Sequence, residues 1–157
     1  MTALSHALIA ISILACGVVY GTDVFSAIVL RPALALVDDR TLVSTMGHVH
    51  DVADKRMPVP GVVGLTSAIA GTVVAAITGH LSATVAGVCA VAPLLIWLAI
   101  YVRVSAPINR QLTAASRSGR APSHARDLQQ RWDHVINVRS LLQMVALAAL
   151  CLMLIIV

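Results

Sequence analysis

The sequence predicts an all-α membrane protein, and three observations carry that prediction. Hydrophobic residues make up 59% of the 157 and charged residues only 11%, and the mean hydropathy is +0.90. So few charges cannot cover the surface of a water-soluble domain of this size. Four stretches are long enough to cross a hydrocarbon core, which needs about 20 mostly apolar residues. All 11 Lys and Arg residues fall in the connections between those stretches or at their ends. The expected architecture is a single domain, residues 1–157. It is a four-transmembrane-helix bundle with an amphipathic cytoplasmic helix between the first and second spans.

The first span covers residues 3–30 and is interrupted only by Asp23. Residues 1–6 hold no Lys or Arg, so this stretch lacks the positive region of a cleaved signal. In the connection that follows, Leu42, Met46, Val49 and Ala53 recur every three or four residues. Thr41, Ser44, Thr45, His48, Asp51 and Lys55 fall on the opposite side, as an amphipathic helix requires. Pro58, Pro60 and Gly61 end that helix and start the second span, residues 62–79. There Gly64, Ala68, Gly71 and Ala75 form a face of small residues that lets another helix approach closely. That helix can belong to this chain or to a second copy, so a homo-oligomer is one option.

The third span, residues 83–102, holds Pro93, which is expected to kink it, and carries Trp97 and Tyr101 towards the interface. The next connection contains a flexible-looking stretch, residues 116–122. The fourth span follows Arg139 and runs to residue 157, with Gln143 as its only strongly polar residue. Cys16, Cys89 and Cys151 share no CxxC spacing and read as small fillers of helix contacts.

Charge sets the expected orientation. Arg31, Arg40, Lys55 and Arg56 lie between the first two spans. Arg103, Arg110, Arg117, Arg120, Arg126, Arg131 and Arg139 lie between the last two or at their ends. Cytoplasmic connections are enriched in such residues, so both long connections are expected inside and the N- and C-termini outside. Anionic headgroups of the lipid bilayer account for the pI near 9.5, and no nucleic acid partner is needed. Four short spans with one deep carboxylate leave little room for an alternating-access pathway.

Polar groups at membrane depth are the first functional candidates. Asp23 needs a partner there, and Arg103 and Arg139 are the natural ones; a purely structural ion pair is the plainer account. His48, His50 and His134 fall on the same expected side with Asp51, Asp54 and Asp133, a collection that could bind a transition metal. Residues two apart on a helix point about 200° apart, so His48 could pair with Asp51, or His50 with Asp54, but His48 and His50 cannot share one ion. A solvated helix face is the plainer account of His48. At the start of the fourth span, Trp132 and Arg139 share one face, and His134 and Asn137 a neighbouring one. An interfacial Trp anchor and a snorkelling Arg would explain the first pair. Asn137 and Gln143 call for interhelical partners.

Three segments carry a resemblance. Ala106-Pro107-Ile108-Asn109-Arg110-Gln111-Leu112 follows the third span, and Trp132 to Arg139 leads into the fourth. Gly21 through Phe25 to Arg31-Pro32-Ala33-Leu34 closes the first. Together they resemble the anthrone-oxygenase-like integral membrane family, much of it uncharacterised. Its named members oxidise polyketide anthrones to anthraquinones without an organic cofactor. The resemblance implies an oxygenase acting on a small lipophilic substrate. Asn109, Trp132 and Arg139 match the family's recurring polar positions, with His134 and Asn137 matching more loosely.

On that reading His134 or Asp23 is the general base, and Arg139 and Asn109 stabilise the developing oxyanion. Trp132, Asn137, Tyr101 and Trp97 would contact the substrate in an apolar cavity. The His48, His50 and Asp51 stretch is not a family hallmark. Two other readings stay open. One is a metal- or haem-assisted oxidoreductase using His50 or His134. The other is a non-enzymatic lipophile-binding or assembly subunit, which the 3% aromatic content favours. The cofactor is accordingly none, a transition metal or haem.

Overall fold

The computed structural model describes residues 2–157, and every regular element among them is helical. Helix α1 (Thr2–Phe25) passes through a π-helical turn (Ser26–Leu30) into the short α2 (Arg31–Leu34). Helix α3 spans Asp39–Arg56, α4 spans Pro58–Ile77 and α5 spans Leu81–Ile100. A second π-helical turn (Tyr101–Ser105) joins α5 to α6 (Ala106–Ser118), and α7 spans Ala125–Ile156. Four helical stretches are long and apolar enough to cross a membrane: Ala3–Leu34, Pro58–Ile77, Leu81–Ser118 and Ala125–Ile156. Even the shortest, at 1.5 Å per residue, reaches about 30 Å, the thickness of a hydrocarbon core. At most 33% of each stretch's apolar window is buried. Leu14, Val62, Ile77, Val85, Leu141 and Ile155 are among the large apolar residues left exposed.

Local chemistry explains three of the helix ends. The Asp38 carboxylate accepts a hydrogen bond from the Thr41 backbone N–H at 2.7 Å and caps α3, satisfying one of its orphan donors. That bond also holds the Asp38 carboxyl below its ordinary range. Pro58 opens α4, where its missing N–H costs nothing. Gly119, at φ +66°, closes α6 in the left-handed conformation that only glycine adopts freely.

Most of the connection between the last two spans is helical, since the third helical stretch continues to Ser118 and α7 begins at Ala125. Helix α6 carries many polar residues, and its Ile108 and Leu112 are buried in a core.

The chain divides into two compact units. The first comprises Met1–Gly21, Val59–Trp97 and Leu141–Val157. Its core includes Ile9, Cys16, Ala68, Ala90, Leu150 and Met153. The small-residue face is in use inside this unit: Gly64, Ala68, Gly71 and Ala75 are all buried. Ser12 Oγ donates to the Gly64 carbonyl at 2.8 Å. A Cβ on Gly64 would lie 2.6 Å from Cys16 Sγ, and one on Gly71 would lie 3.4 Å from Ile9 Cγ1. The expected close approach is therefore made by another helix of the same chain.

The second unit comprises Thr22–Pro58 and Leu98–Ser140. Its core includes Leu34, Leu42, Met46, Ile108, Leu128 and Ile136. Helix α3 meets α6 at Gly47, where an added Cβ would lie 2.6 Å from the Leu112 carbonyl oxygen. The buried side of α3 is Leu42, Val43, Met46, Gly47 and His50. This corrects the expected stripe, since Val49 is exposed. The close approach at Gly47 turns the helix so that Val43 and His50 face inward instead.

Candidate functional site

The second unit encloses a cluster of polar side chains around a buried ion pair. Arg139 Nη2 in α7 donates to Asp23 Oδ1 in α1 at 2.8 Å, with both side chains more than nine-tenths buried. Arg139 Nη1 donates to Ser105 Oγ at 2.8 Å. An uncompensated charge here would cost several kcal/mol, and each partner removes that cost for the other. Of the two arginines expected to serve Asp23, Arg103 is exposed and Arg139 takes the role. Its guanidinium carbon lies 5.6 Å from the Tyr101 ring centroid and 6.0 Å from that of Trp132, at the outer limit of a cation–π contact.

Asp54 in α3 organises the other side of the cluster. Its Oδ1 accepts from the Tyr101 hydroxyl and from Asn109 Nδ2, each at 2.9 Å. Tyr101, Ser105 and Asn109 recur every four residues and so lie along one side of the Leu81–Ser118 stretch. Tyr101 and Ser105 bound its π-helical turn. Such turns are rare and concentrate at functional sites.

His50 lies one helical turn before Asp54 on α3 and is buried. Its ring centroid is 5.6 Å from that of Trp132, with the planes at 53°. Burial pushes the imidazole down to about 4; the Asp54 carboxylate pulls it up and the Arg139 guanidinium opposes that. The ring is therefore uncharged at neutral pH. Among the described residues, His50 Nε2, Asn109 Oδ1 and Trp132 Nε1 find no hydrogen-bond partner although each is closed to solvent.

The structure thus brings together Asp23, Arg139, Asn109, Tyr101 and Trp132 with His50 and Asp54, which the sequence offered only as metal candidates. It leaves His134 and Asn137 exposed, with His134 Nδ1 held 2.6 Å from the Gln130 carbonyl. His48 is exposed too, 2.6 Å from the Ser44 carbonyl and 3.2 Å from Ser116 Oγ. Asp51 pairs with Lys55 at 2.9 Å and with Arg117 at 2.6 Å. The Lys55 hydrogen bond, ahead of Arg117, holds its carboxyl below the usual range. Trp97 belongs to the first unit, where it lines a small cleft with Cys16, Leu65, Leu94 and Gln143.

Of the metal candidates, His50 and Asp54 share the buried side of α3 while His48 lies outside it. Among the described residues no three His, Cys, Asp or Glu side chains gather to hold an ion. Ser105 is the site residue that sequence reasoning missed. Its four-residue spacing from Tyr101 and Asn109 was the available signal.

Comparison with known protein families, with curated proteins and with solved structures finds no match to this chain.

Proposed function

We propose that this chain is an integral membrane four-helix bundle whose buried polar cluster oxygenates a small lipophilic substrate of the anthrone type. Helix α3 then lies as an amphipathic element on the cytoplasmic side, with both termini outside. The likeness of residues 106–112 and 132–139 to the anthrone-oxygenase-like family supplies the substrate class. The observation that carries the reading is His50, buried against the Trp132 ring in the fields of the Asp54 carboxylate and the Arg139 guanidinium.

His50 takes a proton from the acidic methylene, and Arg139 offsets the charge that develops on the ring oxygen. An imidazole at about 4 is a weak base by itself. It strengthens as the enolate forms beside it, adding a second negative charge to that of Asp54. The enolate then reacts with O2. The methylene carbon loses two hydrogens and gains one oxygen as a carbonyl, and the other oxygen atom leaves as water.

Oxygen uptake with a dihydroxyanthrone, on protein in lipid nanodiscs, tests this. His50→Gln and Arg139→Lys should each lower the rate by about 100-fold, while His134→Ala should leave it unchanged. Uptake no faster than the spontaneous reaction would end the oxygenase reading. The non-enzymatic lipophile-binding role, which the low aromatic content favours, would then take its place.

A further inference from the structure

Helix α4 has two sides with different chemistry. Gly64, Ala68, Gly71 and Ala75 are buried inside the first unit. On the opposite side Val59, Val62, Thr66, Ile69, Val73 and Ala76 are all exposed, at steps of three and four residues along the helix. Of the four long apolar helices, α4 is the least covered, with 22% of its apolar window buried against 28–33% in the others.

The exposed residues also differ in kind. Pro58, Val63 and Ile77 complete the set, so seven of the nine are β-branched, whereas on α5 only Val85, Val88 and Ile96 of ten are. Thr66 adds no polar demand, because its Oγ1 donates to the Val62 carbonyl of its own helix at 2.7 Å.

Acyl chains can cover any such side, and in lipid no hydrophobic force favours a protein over them. Packing and entropy decide instead. A Val or Ile side chain on a helix already holds one χ1 rotamer about nine times in ten, so docking it against a rigid surface freezes little further motion. Steps of three and four let two such stripes interdigitate along their length at a crossing of about 20°. Burying about 80 Å² on each of the six side chains in both copies removes roughly 1,000 Å² of surface, the size a specific interface needs. The stripe carries no charge with which to select an unlike protein, and two identical stripes match by symmetry.

We propose that two copies of this chain pair through the exposed stripe of α4, in parallel, about a twofold axis along the membrane normal. The pairing leaves the small-residue side of α4 in place and is independent of the chemistry proposed for the second unit.

Förster transfer between fluorophores on the N-termini of the full chain, reconstituted in liposomes, tests the pairing. Transfer should persist as the protein is diluted with lipid. Thr66→Trp or Val73→Trp should weaken it at least about tenfold by wedging the helices apart. Both positions are exposed in the single chain, so the helical circular dichroism should not change.

Single cysteines give a second readout, with Cys16, Cys89 and Cys151 replaced by alanine. Under a mild oxidant Val62→Cys, Thr66→Cys, Ile69→Cys and Val73→Cys should form disulfide-linked dimers. Val63→Cys, at the edge of the stripe, should form fewer, and Val88→Cys on α5 or Leu141→Cys on α7 none. Transfer that falls to the random level on dilution of the unaltered chain would overturn the proposal and leave the stripe to lipid. Cross-links of equal yield on every exposed side, or confined to α5 or α7, would overturn it too.

Discussion

Arg139 Nη2 meets Asp23 Oδ1 at 2.8 Å with both side chains more than nine-tenths buried. Their positions are 116 residues apart in the chain. A pair this deep contributes little net stability over apolar packing, but breaking one half of it strands the other.

Arg139→Ala or Asp23→Ala should therefore destabilise the protein by about 3–5 kcal/mol. The double variant Asp23→Leu with Arg139→Met should recover most of that loss. Thermal unfolding in detergent, followed by circular dichroism, reads both. A double variant as unstable as the worse single one would mean that the pair is not the coupled unit described.

Acid should weaken the fold through His50. Burial lowers its folded value to about 4 from the ordinary 6.5, so the unfolded chain takes up the proton first. The stability gained by burying the neutral ring is complete above about pH 6.5 and is lost as the pH falls towards 4. At about 1.4 kcal/mol per tenfold change in proton affinity, the loss is at most about 3–4 kcal/mol. His50→Gln should flatten the unfolding midpoint over that pH window. An unchanged slope in the variant would assign the acid sensitivity elsewhere.

Glycine positions should differ sharply in tolerance. At Gly47 a Cβ would meet the Leu112 backbone oxygen at 2.6 Å as well as the Ser116 side chain. Backbone cannot yield cheaply, so Gly47→Ala should cost about 1–3 kcal/mol. At Gly17 a Cβ would meet nothing within 4 Å, and Gly17→Ala should be neutral or stabilising by up to about 1 kcal/mol through helix propensity. Melting temperatures of the two variants, side by side, check the order.

Arg126 should hold the chain between α2 and α3. Its guanidinium donates to Asp39 Oδ1 at 2.7 Å, to the Leu34 carbonyl at 3.0 Å and to the Val37 carbonyl. Three acceptors served by three different guanidinium nitrogens suit the fork of an arginine and not the point charge of a lysine. Arg126→Lys should therefore speed amide exchange in residues 35–38 nearly as much as Arg126→Ala. Full protection in the lysine variant would show that charge alone suffices.

The membrane character and the four long apolar helices were legible because hydropathy is a local property, summed over about 20 neighbouring residues. The small-residue face of α4 was legible for a related reason, since Gly64, Ala68, Gly71 and Ala75 share one side of any helix. The need of Asp23 for a cationic partner also followed from sequence, because a carboxylate among apolar residues is unstable without one.

Which arginine answers that need, and which histidine turns inward, only the tertiary structure decided. Arg103 and Arg139 carry the same charge, and His50 and His134 the same ring; nothing in their sequence neighbourhoods ranks them. Helix α3 sets Gly47 against α6, and that packing turns His50 inward beside Trp132 and leaves His48 outside, while His134 lies on an exposed side of α7. A one-dimensional pattern reveals which residues share a helix side. The closest approach of two backbones determines which side becomes the interior.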